Sequence, residues 1–375
     1  MKDIRLNKLA KLLVNYSAEV KKGDFVLISC EDVAKPWMLE VAKEAIKAGG
    51  HVETHMTSAD LNNVIFNNST KEQLLEDNFL MTKAMEKADV WLSAWGTINT
   101  KANTNVDSDK IKSAAQGATS WRKLYSSKMG DGSLRWCGTQ FPTQSDAQEA
   151  SMSLEEYEDF VYGAGLMDKE NPEEEWKKVS AKQERWVKYL DTRKEIHIVS
   201  EGTDIKVNVN GRKWINCDGK VNFPDGEIFT SPVDDNINGH ITFSFPGIYA
   251  GKEIEGIRLE VKDGKVVKAS ASKGEDLLLS LLSTDVGSSK FGEVAIGTNY
   301  GIKNFTKNML FDEKIGGTVH MAIGDSMPEA GGINHSSIHW DMLCDMRKGG
   351  KIYGDGELFY ENGLFKEEIL KKYNL

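Results

Sequence analysis

A chain of 375 residues with 40% hydrophobic content is long enough to bury a large core and to divide into two domains. Its formal net charge of -10 argues against nucleic acid or an anionic membrane as the main partner, because both demand a cationic surface. The first twenty residues carry charges throughout and lack an uninterrupted apolar core, the pattern of neither a signal peptide nor a membrane span.

The first half alternates helical and strand patterns. Leu6, Leu9, Leu13 and Tyr16 recur at helical spacing, and Gly23-Asp24 turns the chain into the apolar run FVLISC. A helix is predicted from Pro36 to Ala48, opened by the proline and closed by Gly49-Gly50, with HVETHM following as a strand. Another helix, from about Gln73 to Ala88, leads to the short apolar run DVWLSAW. This order implies a mostly parallel sheet covered by helices. No GxGxxG follows a strand and no GxxxxGK[ST] occurs, so the layer is Rossmann-like without nucleotide chemistry. His51 and His55 have no carboxylate cluster beside them and read as structural or exposed. Cys30, Cys137, Cys217 and Cys344 lie far apart without CxxC spacing, which reads as reduced thiols in a cytoplasmic protein.

Between Ser151 and Arg193 the chain is strongly charged and helical, with an apolar stripe of Trp176, Val179, Trp186 and Tyr189, and is expected to bridge two domains. From Lys194 the pattern changes to short alternating strands, with DGK at 218–220 and 263–265 as hairpin turns and one helix in GEDLLLSLLS. The expected organisation is an α/β amino-terminal domain over 1–194 with a mostly parallel sheet and a helical connector. A β-rich α+β metal-binding domain over 195–375 follows it.

The chemistry concentrates in that second domain. In TVHMAIG, period-two alternation points His320 away from the larger apolar side chains Val319, Met321 and Ile323. His339 and Asp341 are two apart, so a strand presents both on one face, whereas a helix would turn them roughly 200° from each other. An imidazole and a carboxylate aimed at one point are a common way to hold a divalent metal. Glu227 follows a Pro-Asp-Gly turn, Glu293 follows a glycine entering an apolar run, and Asp312 and Glu313 follow another apolar run. An acid at the border of a buried strand costs several kcal/mol unless it is paired or bound to a cation. Five or six such groups in one domain would fit two metals.

The ordered series PDGEIFTSP, FGEVAIGTN, LFDEKIGGTVHMAIG, GGINHSSIHWD and YGDGEL resembles the aminopeptidase T and aminopeptidase S family of dinuclear metallopeptidases. The resemblance implies Glu227, Glu293, Glu313, His320, His339 and Asp341 as ligands of two divalent ions: zinc, cobalt, manganese or magnesium. It also implies a homodimer that removes amino-terminal residues from peptides with a free amino terminus. Within such a site Glu293 is the expected bridging carboxylate, since two oxygens can span metals roughly 3.5–4 Å apart. One of Glu227 and Glu313 is the expected general base, within reach of the attacking water. His335, in the Gly-rich connection GGINHSS, is expected in a loop.

The sequence departs from the family at one position. Where relatives carry a tyrosine after HMAIG, held to stabilise the tetrahedral intermediate, Met327 stands here, and a thioether donates no hydrogen bond. Tyr249 and Tyr300 are the nearest tyrosines in sequence. Two other readings share the ligands: a different dinuclear metal amidohydrolase, and a metal-binding dimeric protein without turnover.

Overall fold

The computed structural model describes residues 3–375. The chain forms two units, Met1–Glu175 with Gly219–Pro224, and Trp176–Asp218 with Asp225–Leu375.

The first unit is built on a five-stranded parallel sheet. Its strands run in the order His51–Thr57, Phe25–Glu31, Val90–Trp95, Arg135–Gln140 and Asn222–Phe223. Val26, Leu27 and Ile28 are buried because Phe25–Glu31 has a neighbour on each side and helices on its faces, whereas the polar His51–Thr57 lies at the edge. Helix Lys35–Lys47 takes Pro36 into its first turn and buries Trp37, Met38, Val41 and Ala45 at helical spacing. Gly49 follows it at φ +92°, a conformation that costs glycine nothing.

Two expectations change here. The single helix from Gln73 to Ala88 is two, Lys71–Leu75 and Phe79–Lys87, because Asn78 breaks the run and its side chain accepts from Met81 N to cap the second. The fifth strand comes from residues far along the chain and is only two residues long, too short for any periodic pattern.

The second unit holds an eight-stranded antiparallel sheet and a five-stranded one. The latter runs His339–Asp345, Thr318–Gly324, Phe291–Gly297, Glu227–Thr230, Ile215–Cys217, antiparallel throughout. Both sheets contribute to one core, with Ile196, Ile205, Ile241 and Leu259 from the first and Val294, Met321, Ile323 and Met342 from the second.

The unit boundary falls at Glu175/Trp176, ahead of the position expected near 195. Trp186 and Tyr189 of the expected apolar stripe, with Leu190 at the end of helix Pro172–Leu190, are buried in the second unit's core, so most of that helix belongs with it. The two DGK turns also diverge. Asp263 and Gly264 both have positive φ and join the paired strands Arg258–Lys262 and Lys265–Ser270, a tight hairpin. Residues 218–220 instead separate strands of different sheets, Ile215–Cys217 and Asn222–Phe223. Helix Glu275–Leu282 forms as expected.

Candidate metal centre

The five-stranded sheet of the second unit has one apolar and one reactive face. Val294, Ile296, Val319, Met321, Ile323, Trp340 and Met342 enter the core. The alternate positions carry Glu227, Glu293, His320, His339 and Asp341. Most of their cross-strand partners are small: Glu227 pairs with Gly297 and Cys217, Glu293 and Asp341 both with Ala322, and His339 with Gly324, while His320 stands between Ala295 and the larger Leu343. Long polar side chains thus alternate with mostly small residues across four strands, which leaves room for them to converge.

They do converge. His320 Nε2 lies 3.3 Å from Glu227 Oε2 and 3.4 Å from Glu293 Oε1. His339 Nε2 lies 3.3 Å from Glu293 Oε2 and 3.5 Å from Asp341 Oδ2. Two groups result, Glu227–Glu293–His320 and Glu293–His339–Asp341, each with ligand atoms within 4.8 Å of one another. Glu293 belongs to both, one oxygen facing each histidine. Of the six expected ligands only Glu313 stands outside these groups. It follows the short helix Met309–Asp312, and its carboxylate takes the ammonium of the next residue, Lys314.

Lys314 is the group that sequence reasoning missed. It is wholly buried, and Nζ lies 3.6 Å from Glu227 Oε1 as well as against Glu313. Burial opposes its charge, but Glu227 and Glu313 outweigh that and hold it protonated. A lysine next to a glutamate in sequence reads as a solvated pair; only the third dimension buries it. Asp225 is a second omission: it forms a further group with Cys217 and Glu227.

The electrostatics call for cations. Of four carboxylates gathered here, Glu227 and Glu313 face Lys314, while Glu293 and Asp341 face the histidines. Burial pushes Glu227 up to about 8 against the pull of Lys314. The histidines collect protons in compensation. Burial opposes the imidazolium at both, yet Glu293 holds His320 up at about 9, and Asp341 with Glu293 holds His339 up at about 12. Burial works against the Glu293 carboxylate too, but His320 and His339 bring it down to about 2. Glu227 Oε2, His320 Nδ1 and Asp341 Oδ1 are buried with no hydrogen-bond partner. Mixed carboxylate and imidazole donors with unsatisfied atoms fit hard or borderline divalent ions, which would take the place of those protons. His339 is also oriented from behind: Nδ1 lies 2.8 Å from the Asp325 carbonyl oxygen, an acceptor only, so Nε2 is left free to ligate.

The remaining candidates separate cleanly. Asp312 is buried, and its Oδ1 accepts from Thr306 N at 2.7 Å and Thr306 Oγ1 at 2.9 Å, a structural role. His335 is 85% exposed in its loop, beside Asp325. The Tyr300 hydroxyl donates to Gly363 O, and Tyr249 packs edge-on against Trp340. Met327 packs against the cluster of Phe229, Ala295 and Ala330, an apolar wall that includes a cross-strand partner of His320.

The donor set is that of a metal-dependent enzyme. The family profile of thermophilic metalloproteases (M29) matches residues 2–365, and the chain belongs to that family. Aminopeptidase 2 of Geobacillus stearothermophilus is 28% identical, covering 90% of this chain and 91% of its own. Aminopeptidase AmpS of Bacillus subtilis is 26% identical, covering 96% of this chain and 98% of its own. The solved structure of wild-type AmpT from Thermus thermophilus shares the fold at a TM-score of 0.85 and 22% identity, over 96% of this chain and 99% of that one. A 2,5-dihydroxypyridine dioxygenase from Pseudomonas putida has a TM-score of 0.59 at 12% identity, over 96% of each chain, so the fold alone does not fix the reaction.

Proposed function

We propose that this chain is an aminopeptidase that removes amino-terminal residues from peptides with two divalent ions, zinc, cobalt, manganese or magnesium. The observation that carries the reading is Glu293, whose two oxygens face two separate ligand groups. Glu227 with His320 would hold one ion and His339 with Asp341 the other, with Glu293 between them. Two such ions supply an activated water, a polarised scissile carbonyl and an anchor for the free α-amine.

Glu313 is the general base in this reading. It stands outside both ligand groups, so its carboxylate remains available for a proton. Burial raises its pKa, which suits a group that must accept a proton and later release it to the leaving amine. Lys314 orients it and offsets its charge. The Met327 thioether donates no hydrogen bond, so stabilisation of the oxyanion has to come from elsewhere, and Phe229 beside it would keep that side of the site dry.

The four cysteines form no disulfide with one another, which supports a reducing, cytoplasmic setting, and the homodimer is carried over from the family resemblance. Among the described residues no helix is long and apolar enough to cross a membrane. The test is hydrolysis of aminoacyl amides and short peptides, free and amino-terminally acetylated, by metal-reconstituted protein. Turnover confined to free amino termini is expected. Equal turnover of acetylated substrates would indicate a broader amidohydrolase, and two bound ions without turnover would indicate a binding protein.

A further inference from the structure

The amino-terminal unit has a cavity of its own, about 820 Å³, built entirely from its residues. Glu31, Thr57, Trp95 and Gln140, each the last residue of a parallel strand, all line it. The carboxyl ends of parallel strands are where connecting loops part and ligands settle.

The wall is aromatic. Trp91 meets Trp121 and Tyr125 edge-on, at 5.9 Å and 5.4 Å between ring centroids, and lies tilted against Trp136 at 5.9 Å; Trp136 meets Trp95 at 6.2 Å. Gly138 makes this possible: a Cβ there would come within 2.4 Å of the Trp95 ring.

Set among the rings are two carboxylates, Glu31 and Asp146, that form no ion pair among the described residues. Glu31 Oε2 is buried without a hydrogen-bond partner. Asp146 Oδ2 accepts only from neutral donors, Gln140 Nε2 at 2.9 Å and Thr143 Oγ1 at 2.6 Å. Burial raises the pKa of both, as it does when no cation stands opposite. The cation at hand, Arg122, lies 5.6 Å over the Trp121 ring. An anion would meet two carboxylates, and a neutral apolar ligand would leave Glu31 Oε2 without a partner. Ring faces and a desolvated carboxylate together suit a cation on an apolar stem.

We propose that this cavity binds a small organic cation, a guanidinium or ammonium group on a short apolar stem, the chemistry of an arginine or lysine side chain. The inference does not rest on the aminopeptidase reading.

The test uses the full metal-loaded chain and Nα-acetyl-arginine amide, which has no free α-amine, followed by calorimetry and tryptophan fluorescence. Nα-acetyl-citrulline amide is the neutral isostere. Saturable binding of the arginine probe is expected, with the citrulline probe at least about tenfold weaker, the size of one desolvated charge contact. Glu31→Gln and, separately, the half-exposed Trp95→Ala should each weaken the arginine probe by about the same factor with an unchanged circular dichroism spectrum. A Glu293→Gln variant should bind it as the wild type does. Equal affinity for both probes, absence of saturable binding, or binding lost in Glu293→Gln but kept in Glu31→Gln would each overturn the proposal.

Discussion

Glu293 Oε1 lies 3.4 Å from His320 Nε2, on the neighbouring strand, while the same carboxylate turns its other oxygen toward His339. The register explains how: Glu293 stands opposite Ala322, one step along the reactive face from His320, and Ala322 stands opposite Asp341. One alanine therefore keeps open the space that two carboxylates share. His320→Ala and His339→Ala should each lose one ion, a different one, and each should cut kcat/KM by at least about a thousandfold. Metal analysis of both variants, with a hydrolysis assay, checks this; retention of two ions by either would refute the assignment.

Ala322→Val tests the spacing from the other side. Two added methyl groups between Glu293 and Asp341 should cost about 1–3 kcal/mol of stability as overpacking and should weaken metal binding. Denaturant unfolding and a metal titration read the two effects separately, and wild-type values for both would show that the space is not needed.

Lys314 should be indispensable to the metal-free fold. In Lys314→Met, Glu227 and Glu313 lose their common counter-charge inside the protein, and unfolding in urea should show a loss of about 3–5 kcal/mol. Bound divalent ions should recover part of it. A loss below about 1 kcal/mol would mean that the pair is solvated after all.

Asp285 links pH to the site. Its carboxylate accepts from the backbone N–H and hydroxyl of Ser337 at 2.8 Å each and from the Ser336 hydroxyl, in the loop that leads into His339. Ser337 N–H first, then the Ser337 hydroxyl, holds Asp285 down at about 2. A depressed folded-state pKa means that its contribution is complete above the unfolded value of about 4 and disappears as the pH falls toward 2. Wild-type stability should therefore drop over that interval more steeply than that of Asp285→Asn. Identical slopes in the two proteins, measured by denaturation from pH 6 to pH 2.5, would contradict this.

Met327→Tyr addresses the departure from the family. A hydroxyl restored at that position should raise kcat by up to about a hundredfold, with KM little changed, if the missing donor limits the reaction. An unchanged kcat would mean that another group already fills the role.

Much of the site was legible because strands carry a period of two. His339 and Asp341 two apart, and His320 alternating with Val319 and Met321, could be assigned to faces without coordinates. The parallel sheet of the first unit was equally plain from its apolar runs and its glycine and proline stops. What escaped was set by tertiary packing. Lys314 carries no local sign of burial, and Glu313 beside it reads as one more acid at a strand border instead of its partner. The boundary at Glu175/Trp176 depends on which core takes the stripe of a helix whose pattern alone suits either side. Residues 218–220 have the composition of a hairpin turn, but the strands they separate pair elsewhere.

The most direct test of the bridging role is the metal content of wild-type protein and Glu293→Gln after dialysis against a single divalent metal, measured by mass spectrometry. Two ions per chain in the wild type and at most one in the variant are expected, since an amide cannot supply a second anionic oxygen. Two ions retained by Glu293→Gln, or a single ion in the wild type, would contradict a centre built around that carboxylate.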